Sequence, residues 1–317
     1  LRLIFIFVDG VGLGKQHPDN PFFYNETPGL SGLLAGNNLT VDFVNYVGPR
    51  ASLLGLDATL GVEGLPQSAT GQASIFTGVN AAALRGRHLR GFPDNLLRRL
   101  IADKSLFKHL RSRGLQPAFA NAYRPQFFES LRRRLPGSRY SCSTLTAYYG
   151  GLHFYNLEDV KAGKTLYMDI TNEILQRMDY DVPLINPEEG ADRLIKLSRH
   201  FDFCLFEYFL SDLAGHLADH SEADHIVGIL DQFVGALASQ INPKEELLLI
   251  TSDHGNLEDL TRRDHTLNQV PVLLVGDLNL RRHIHSGLND LTDLFPAVQS
   301  VLNWKGSDEQ LLKKRIN

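Results

Sequence analysis

Apolar positions follow two alternating patterns along this chain. Short unbroken apolar runs recur at Leu3–Val8, Ala118–Ala120, Phe203–Phe209, Leu247–Ile250 and Val270–Val275. Between them lie helix-type stretches at Ala69–Phe76, Leu96–Leu110, Glu188–Ser198, Ala223–Ile241 and Asn289–Val301. A strand buried on both faces reads as a continuous apolar run. Such runs alternating with helices predict an α/β fold, a mostly parallel sheet with helices on both faces. Between Ala122 and Pro187 the pattern loosens into aromatic pairs and the basic "RRRLPGSR", with one helix expected at Met168–Met178. This predicts a discontinuous core, residues 1–121 and 188–317, carrying a small insert or cap at 122–187, the alternative being an irregular part of the core. The closing "GSDEQLLKKRIN" reads as a short surface helix. No internal repeat or low-complexity linker interrupts the pattern.

Composition narrows the class. The 317 residues are 43% hydrophobic, enough for one large core or a core with a smaller insertion. Two cysteines, Cys142 and Cys204, make no disulfide framework, so a reducing, cytoplasmic setting is expected. No apolar run approaches the roughly 20 residues of a membrane span. The opening "LRLIFIFV" is short for a signal peptide and runs straight into "DGVG", so it reads as the first core strand. The net charge of -4 hides an uneven distribution. Arg85 to Arg139 holds 14 Lys/Arg against three acids. That stretch is either a set of solvated helix faces or a basic wall over an anionic substrate. It shows no nucleic-acid-binding module, so no nucleic-acid partner is expected.

The candidate chemistry sits where apolar runs end. In open α/β sheets, ligands bind just beyond the carboxyl ends of the strands. "LLLITSDHGN" places Asp253 and His254 there, and "FIFVDGVGLG" places Asp9 there. The glycines after Asp9 faintly resemble a dinucleotide fingerprint, but the acid precedes them and no clear helix opens on them. Beyond Phe203–Phe209, "DLAGH" sets Asp212 and His216 at i and i+4, one face of a helical turn. His265 precedes the strand that opens "VPVLLV". In "LPQSATGQASIFTG" a helix is expected to begin near Ser68. Ser68 could be an N-cap, or a nucleophile at a helix end that favours phosphate; Thr70 is the rival. Singly each feature has a bland reading, a turn acid, a surface pair, a cap. Together Asp9, Asp212, His216, Asp253, His254 and His265 offer six N/O ligands, and Ser68 a seventh. Mixed His and carboxylate ligands suit Zn or Mn better than Mg, which keeps more of its water. Two divalent ions would balance three carboxylates and a serine alkoxide.

These motifs, in this order, resemble the alkaline phosphatase superfamily, closest to its branch of cofactor-independent phosphoglycerate mutases and phosphopentomutases. The Thr251–Gly276 segment carries most of the likeness, with "DLAGH", "VDGVG" and a serine three residues before Gly71. The resemblance implies one metal on Asp9, Ser68, Asp253 and His254, a second on Asp212, His216 and His265, and Ser68 as nucleophile. Two departures stand out. Gln72 occupies the place where the mutases usually have His, and the middle segment is far shorter than the large second domain of phosphoglycerate mutase. The expected activity is phosphoryl transfer on a small anionic phosphomonoester through a phosphoserine, as phosphatase or phosphomutase. Arg87, His88 and Arg124 are candidate substrate clamps. Alternatives are a phosphodiesterase or phosphonate hydrolase with the same metals, a dinuclear peptidase that would not need Ser68, and a silent ligand-binding relative.

Overall fold

The computed structural model describes residues 1–133 and 139–304, so the expected C-terminal helix lies outside the described residues. The described residues form nine strands in chain order: β1 (Arg2–Val8), β2 (Tyr46–Val47), β3 (Ala51–Leu56), β4 (Pro117–Phe119), β5 (Ala122–Tyr123), β6 (Tyr155–Asn156), β7 (Phe203–Tyr208), β8 (Glu246–Thr251) and β9 (Val270–Val275). Seven form one sheet in the order β2-β3-β9-β8-β1-β7-β4, and β5 pairs with β6 apart from it. β1 lies parallel to β7 and β8 at the centre, and β4 parallel to β7 at the edge. β9 runs antiparallel to β8, and β3 antiparallel to β9.

The five apolar runs are all strands of this sheet. β1 shows why they read as unbroken runs. Ile4, Ile6 and Val8 join the core on one face, while Leu3, Phe5 and Phe7 join the core on the other. Each such side chain contributes about 1.5–3 kcal/mol on burial. Helices Pro28–Leu33, Pro187–Ser198 and His220–Gln240 cover the first face. Helices Ser68–Thr77, Asn95–Lys104 and Leu294–Leu302 cover the second. β2 and β3 carry no signal in the sequence pattern. Ser52 and Gly55 break up β3, so it shows neither an apolar run nor a clean alternation.

Two expected helices differ. The stretch Leu96–Leu110 breaks at the buried Ser105, whose hydroxyl caps the second helix through Lys108 N (3.3 Å) and donates to the Thr146 carbonyl (2.8 Å). Of Met168–Met178 only Glu173–Arg177 is helical. The Asp169 carboxylate accepts from Asn172 N and Ile174 N, and Ile170 and Asn172 take φ values of +67° and +66°. That local capping replaces the missing turns. The segment 122–187 also does not stand apart as a whole. Helix Cys142–Tyr149 buries Cys142, Leu145 and Ala147 in the second core, whereas Ala122, Val160, Tyr167, Leu175 and Val182 form a small core of their own.

Register brings the chemistry to one edge. Val8 pairs with Tyr208 and Phe7 with Thr251, so the chain leaves β1, β7 and β8 side by side. Because β9 is antiparallel to β8, its leading segment, which carries His265, arrives at the same edge.

Candidate metal centre

All seven groups converge, each with an atom within 3.7 Å of another of them. His254 Nε2 lies 3.0 Å from Ser68 Oγ, 3.1 Å from Asp9 Oδ1 and 3.7 Å from Asp253 Oδ2. His216 Nε2 lies 3.3 Å from Asp212 Oδ2. His265 Nε2 lies 3.5 Å from Asp212 Oδ1 and 3.3 Å from His216 Nε2. The rings of His254 and His265 stack with centroids 3.7 Å apart and planes 12° from parallel, which joins the two groups. Two sets have ligand atoms close enough together for one ion: Asp212, His216 and His265, and Asp9, Asp212 and His254. Asp212 belongs to both. Asp253 stands at the back, fully buried.

The histidines are oriented as metal ligands usually are. Nδ1 of His216 sits 2.7 Å from the Arg263 carbonyl, and Nδ1 of His265 sits 2.7 Å from the Pro66 carbonyl. A carbonyl only accepts, so each Nδ1 carries the proton and each Nε2 turns a lone pair into the site. Two lone pairs 3.3 Å apart repel unless a proton or a cation lies between them. Asp253 tells the same story from the acid side. Both of its carboxylate oxygens are buried without a hydrogen-bond partner, a costly state unless a cation is bound.

The electrostatics follow from this crowding. Burial pushes the Asp253 carboxyl well above its ordinary range, and the neighbouring Asp9 charge adds to the shift. Burial alone would disfavour a charged His254, but the carboxylates of Asp253, Asp9 and Asp212 outweigh it and raise its pKa to about 10. Burial works against the Asp212 carboxylate too, yet bonds from His216, His265 and Asn256 with the His254 charge lower its pKa. His216 is raised, first by its bond to Asp212, while the Arg90 charge opposes that shift. Without metal, protons on imidazoles do part of the neutralising that cations would do.

Ser68 opens helix Ser68–Thr77 directly, with Gln67 as a cap that makes no side-chain bond. Its hydroxyl is therefore free of capping and reaches His254. The Thr70 hydroxyl is occupied instead, donating to the Gln67 carbonyl at 3.1 Å and accepting from Leu89 N at 3.3 Å. Gly71 lets this helix lie against the β8 loop, since a Cβ there would come within 2.8 Å of the Asp253 carbonyl oxygen.

Three residues support the site in ways the sequence reading did not assign. Gln72 Nε2 donates to Asp9 Oδ2 at 3.2 Å, which gives the departure at that position a structural meaning. Asn256 Nδ2 donates to Asp212 Oδ1 at 2.7 Å. The buried Glu258 accepts from Gly12 N (2.7 Å), Asn256 N (2.8 Å), Asn268 Nδ2 (3.0 Å) and the Thr266 hydroxyl, tying three site loops together. In sequence Glu258 looks like its exposed-type neighbour Asp259, so nothing marked it out.

Of the expected substrate clamps, only Arg124 lines the cavity of about 650 Å³ that opens on Asp9, Ser68 and Asp212. His88 turns its Nε2 to the Val62 carbonyl at 3.2 Å, and burial lowers its pKa. Arg87 is exposed and absent from the cavity lining. Arg139 of the basic segment lines the same cavity, and the Arg90 charge acts on His216. No described helix is long and apolar enough to cross a membrane.

The chain is similar to several known proteins. The chain is 28% identical over 140 residues to a 2,3-bisphosphoglycerate-independent phosphoglycerate mutase of Moorella thermoacetica, covering 42% of this chain and 27% of that protein. The same-named protein of Ehrlichia ruminantium is 29% identical over 140 residues, covering 41% and 27%. The match thus spans about a quarter of the length of these curated relatives. Among solved structures, a Pyrococcus horikoshii protein superposes with a TM-score of 0.56 at 15% identity, covering 95% of this chain and 96% of that one. The alkaline phosphatase of the Antarctic bacterium TAB5 superposes with a TM-score of 0.53 at 13% identity, covering 96% and 99%. The fold is alkaline-phosphatase-like, and, with the Metalloenzyme superfamily model matching residues 1–294, the chain belongs to that superfamily.

Proposed function

We propose that this protein is a two-metal phosphoryl-transfer enzyme that acts on small phosphomonoesters through Ser68. The observation that carries the reading is the meeting of a serine hydroxyl with three imidazole Nε2 atoms and three carboxylates at one sheet edge, both oxygens of buried Asp253 being unpartnered. Asp9, Ser68, Asp253 and His254 would hold one divalent ion, and Asp212, His216 and His265 the other, with Zn or Mn suited to the mixed donor set. When bound, such ions neutralise the carboxylates, attract the phosphate and lower the pKa of the serine hydroxyl.

The chain's own residues set the geometry. Gln72 fixes Asp9, and Asn256 fixes Asp212, so neither carboxylate can swing away. Ser68 Oγ attacks phosphorus at the positive end of its helix. The Oγ–P bond forms as the P–O bond to the alcohol breaks, and the alcohol leaves with a proton. Transfer from the phosphoserine to water gives hydrolysis; transfer to a substrate hydroxyl gives an isomeric ester. The phosphoglycerate mutase relatives and the alkaline phosphatase neighbour support both endings.

Phosphorus NMR on protein loaded with manganese or zinc tests this, with 3-phosphoglycerate and ribose 5-phosphate among the esters. Wild type is expected to yield free phosphate or an isomeric ester. Ser68→Ala is expected to keep its metal and lose at least about 10³-fold in rate. Undiminished turnover by Ser68→Ala would point to a metal-bound water as nucleophile and overturn the reading. Diester cleavage with monoesters inert would move it to a phosphodiesterase.

A further inference from the structure

The cavity above Ser68 is larger than a three-carbon ester needs. Its volume of about 650 Å³ lies in the range that encloses drug-sized ligands. Its walls away from Asp9 and Asp212 set aromatic rings among polar groups that include Asn121, Gln126, Thr144, Arg139 and Glu207. Tyr123 and Phe127 stack with centroids 3.8 Å apart and planes 20° from parallel, and Phe154 braces both edge-on. Phe92 also lines the cavity, stays 45% exposed, and meets no other aromatic ring among the described residues. An aromatic ring left so bare gains from a flat apolar group laid against it, and a small polar acid supplies no such group.

Arg124 adds a charge to this wall. Its Nη1 donates to the Met178 sulfur at 3.1 Å, and Tyr167 is its other partner. Among the described residues it pairs with no carboxylate, so its charge is not cancelled. A guanidinium held by neutral groups beside an aromatic wall suits an anionic acceptor on a ring.

The geometry points to a phosphomonoester whose alcohol half is an aromatic or heteroaromatic ring bearing an anionic group. The phosphate would sit at Ser68, the ring against Phe92 and the Tyr123–Phe127 stack, and the anionic group at Arg124. This assignment rests on the phosphoryl-transfer reading for its inner end and on the cavity wall for its outer end.

Titration calorimetry of the metal-loaded protein with non-hydrolysable probes separates the two. Phenylphosphonate is expected to bind about tenfold more tightly than methylphosphonate, the gain of covering one ring. 4-Carboxyphenylphosphonate is expected to bind more tightly again. Phe92→Ala should cut the phenyl-to-methyl affinity ratio severalfold, and Arg124→Gln the carboxyphenyl-to-phenyl ratio. Equal affinity for the methyl and phenyl probes would overturn the ring subsite and leave the phosphoryl-transfer reading standing. Failure of every phosphonate, and of inorganic phosphate, to bind protein shown to hold metal would overturn both.

Discussion

The two halves of the candidate centre differ in their access to water. Around His254 the groups are buried: Asp253 and His254 expose nothing, and Asp9 and Ser68 expose 8% each. Around His216 the site opens, with 23% of that side chain and 15% of Asp212 exposed. Water can solvate charge in the open half, whereas in the buried half only protein groups or an ion can. The buried half should therefore depend on bound cations for stability, and the open half chiefly for activity.

Removing metal tests this most strongly. An ion held at a thousand times its dissociation constant stabilises the folded chain by about 4 kcal/mol. Chelation is expected to abolish phosphoryl transfer and lower Tm by many degrees. Readdition of metal should restore a large part of the Tm on filling the buried half. Calorimetric scans at stepwise metal-to-protein ratios check it; a Tm that ignores metal would break the comparison.

The floor of the cavity gives the next effect. Glu207 is buried beside β1, and burial pushes its pKa up to about 7, with a bond from Ser143 opposing and the Asp9 charge assisting. The folded chain then holds a proton that the unfolded chain releases above its ordinary pKa near 4.5. The Glu207 contribution to the stability of the metal-free protein should therefore fall as pH rises from about 4.5 to 7, by about 3 kcal/mol, and level off above. Glu207→Gln should flatten that slope in urea titrations taken across the window. An unchanged slope would place the buried proton elsewhere.

Glu258 sharpens the comparison because it connects the halves. Its two oxygens receive donors from the Asp9 loop, the His254 loop and the His265 loop. In Glu258→Gln an amide donor would face other donors, at a cost of about 2–3 kcal/mol in a buried site. Metal affinity should fall in both halves together. Loss confined to one half would show that the loops move independently.

How much of this was legible follows from what each residue does. The strand runs were readable because a strand buried on both faces leaves a local signature, and the candidate ligands because Asp9, Asp253 and His254 lie just past the ends of such runs. His265 was readable as a candidate ligand only in company; its arrival depends on β9 reversing direction, which no local pattern records. Glu258 and Asn256 were illegible because their work is done across loops distant in sequence. Arg87 and Arg90 sit three residues apart on one loop, and only the fold shows which charge acts on His216.

The finest test pairs one residue from each half. Asp253→Asn removes a buried carboxyl that has no hydrogen-bond partner and must take up a proton to fold without metal, so the metal-free variant should be more stable than wild type by about 2 kcal/mol at neutral pH. The gain belongs above the ordinary carboxylate range, because the shift that burial imposes on Asp253 is upward. It should vanish in acid, where the unfolded chain is protonated too. The same variant should bind metal more weakly, so its stability advantage reverses once metal is added. His216→Ala removes a candidate ligand that water can already reach, and metal-free stability should change by less than about 1 kcal/mol. Urea titrations of both variants, with and without metal, give the comparison. A crossing of the curves for Asp253→Asn, and none for His216→Ala, would mean that the buried half needs its ion in order to fold well. Parallel curves for both would mean that metal serves chemistry alone.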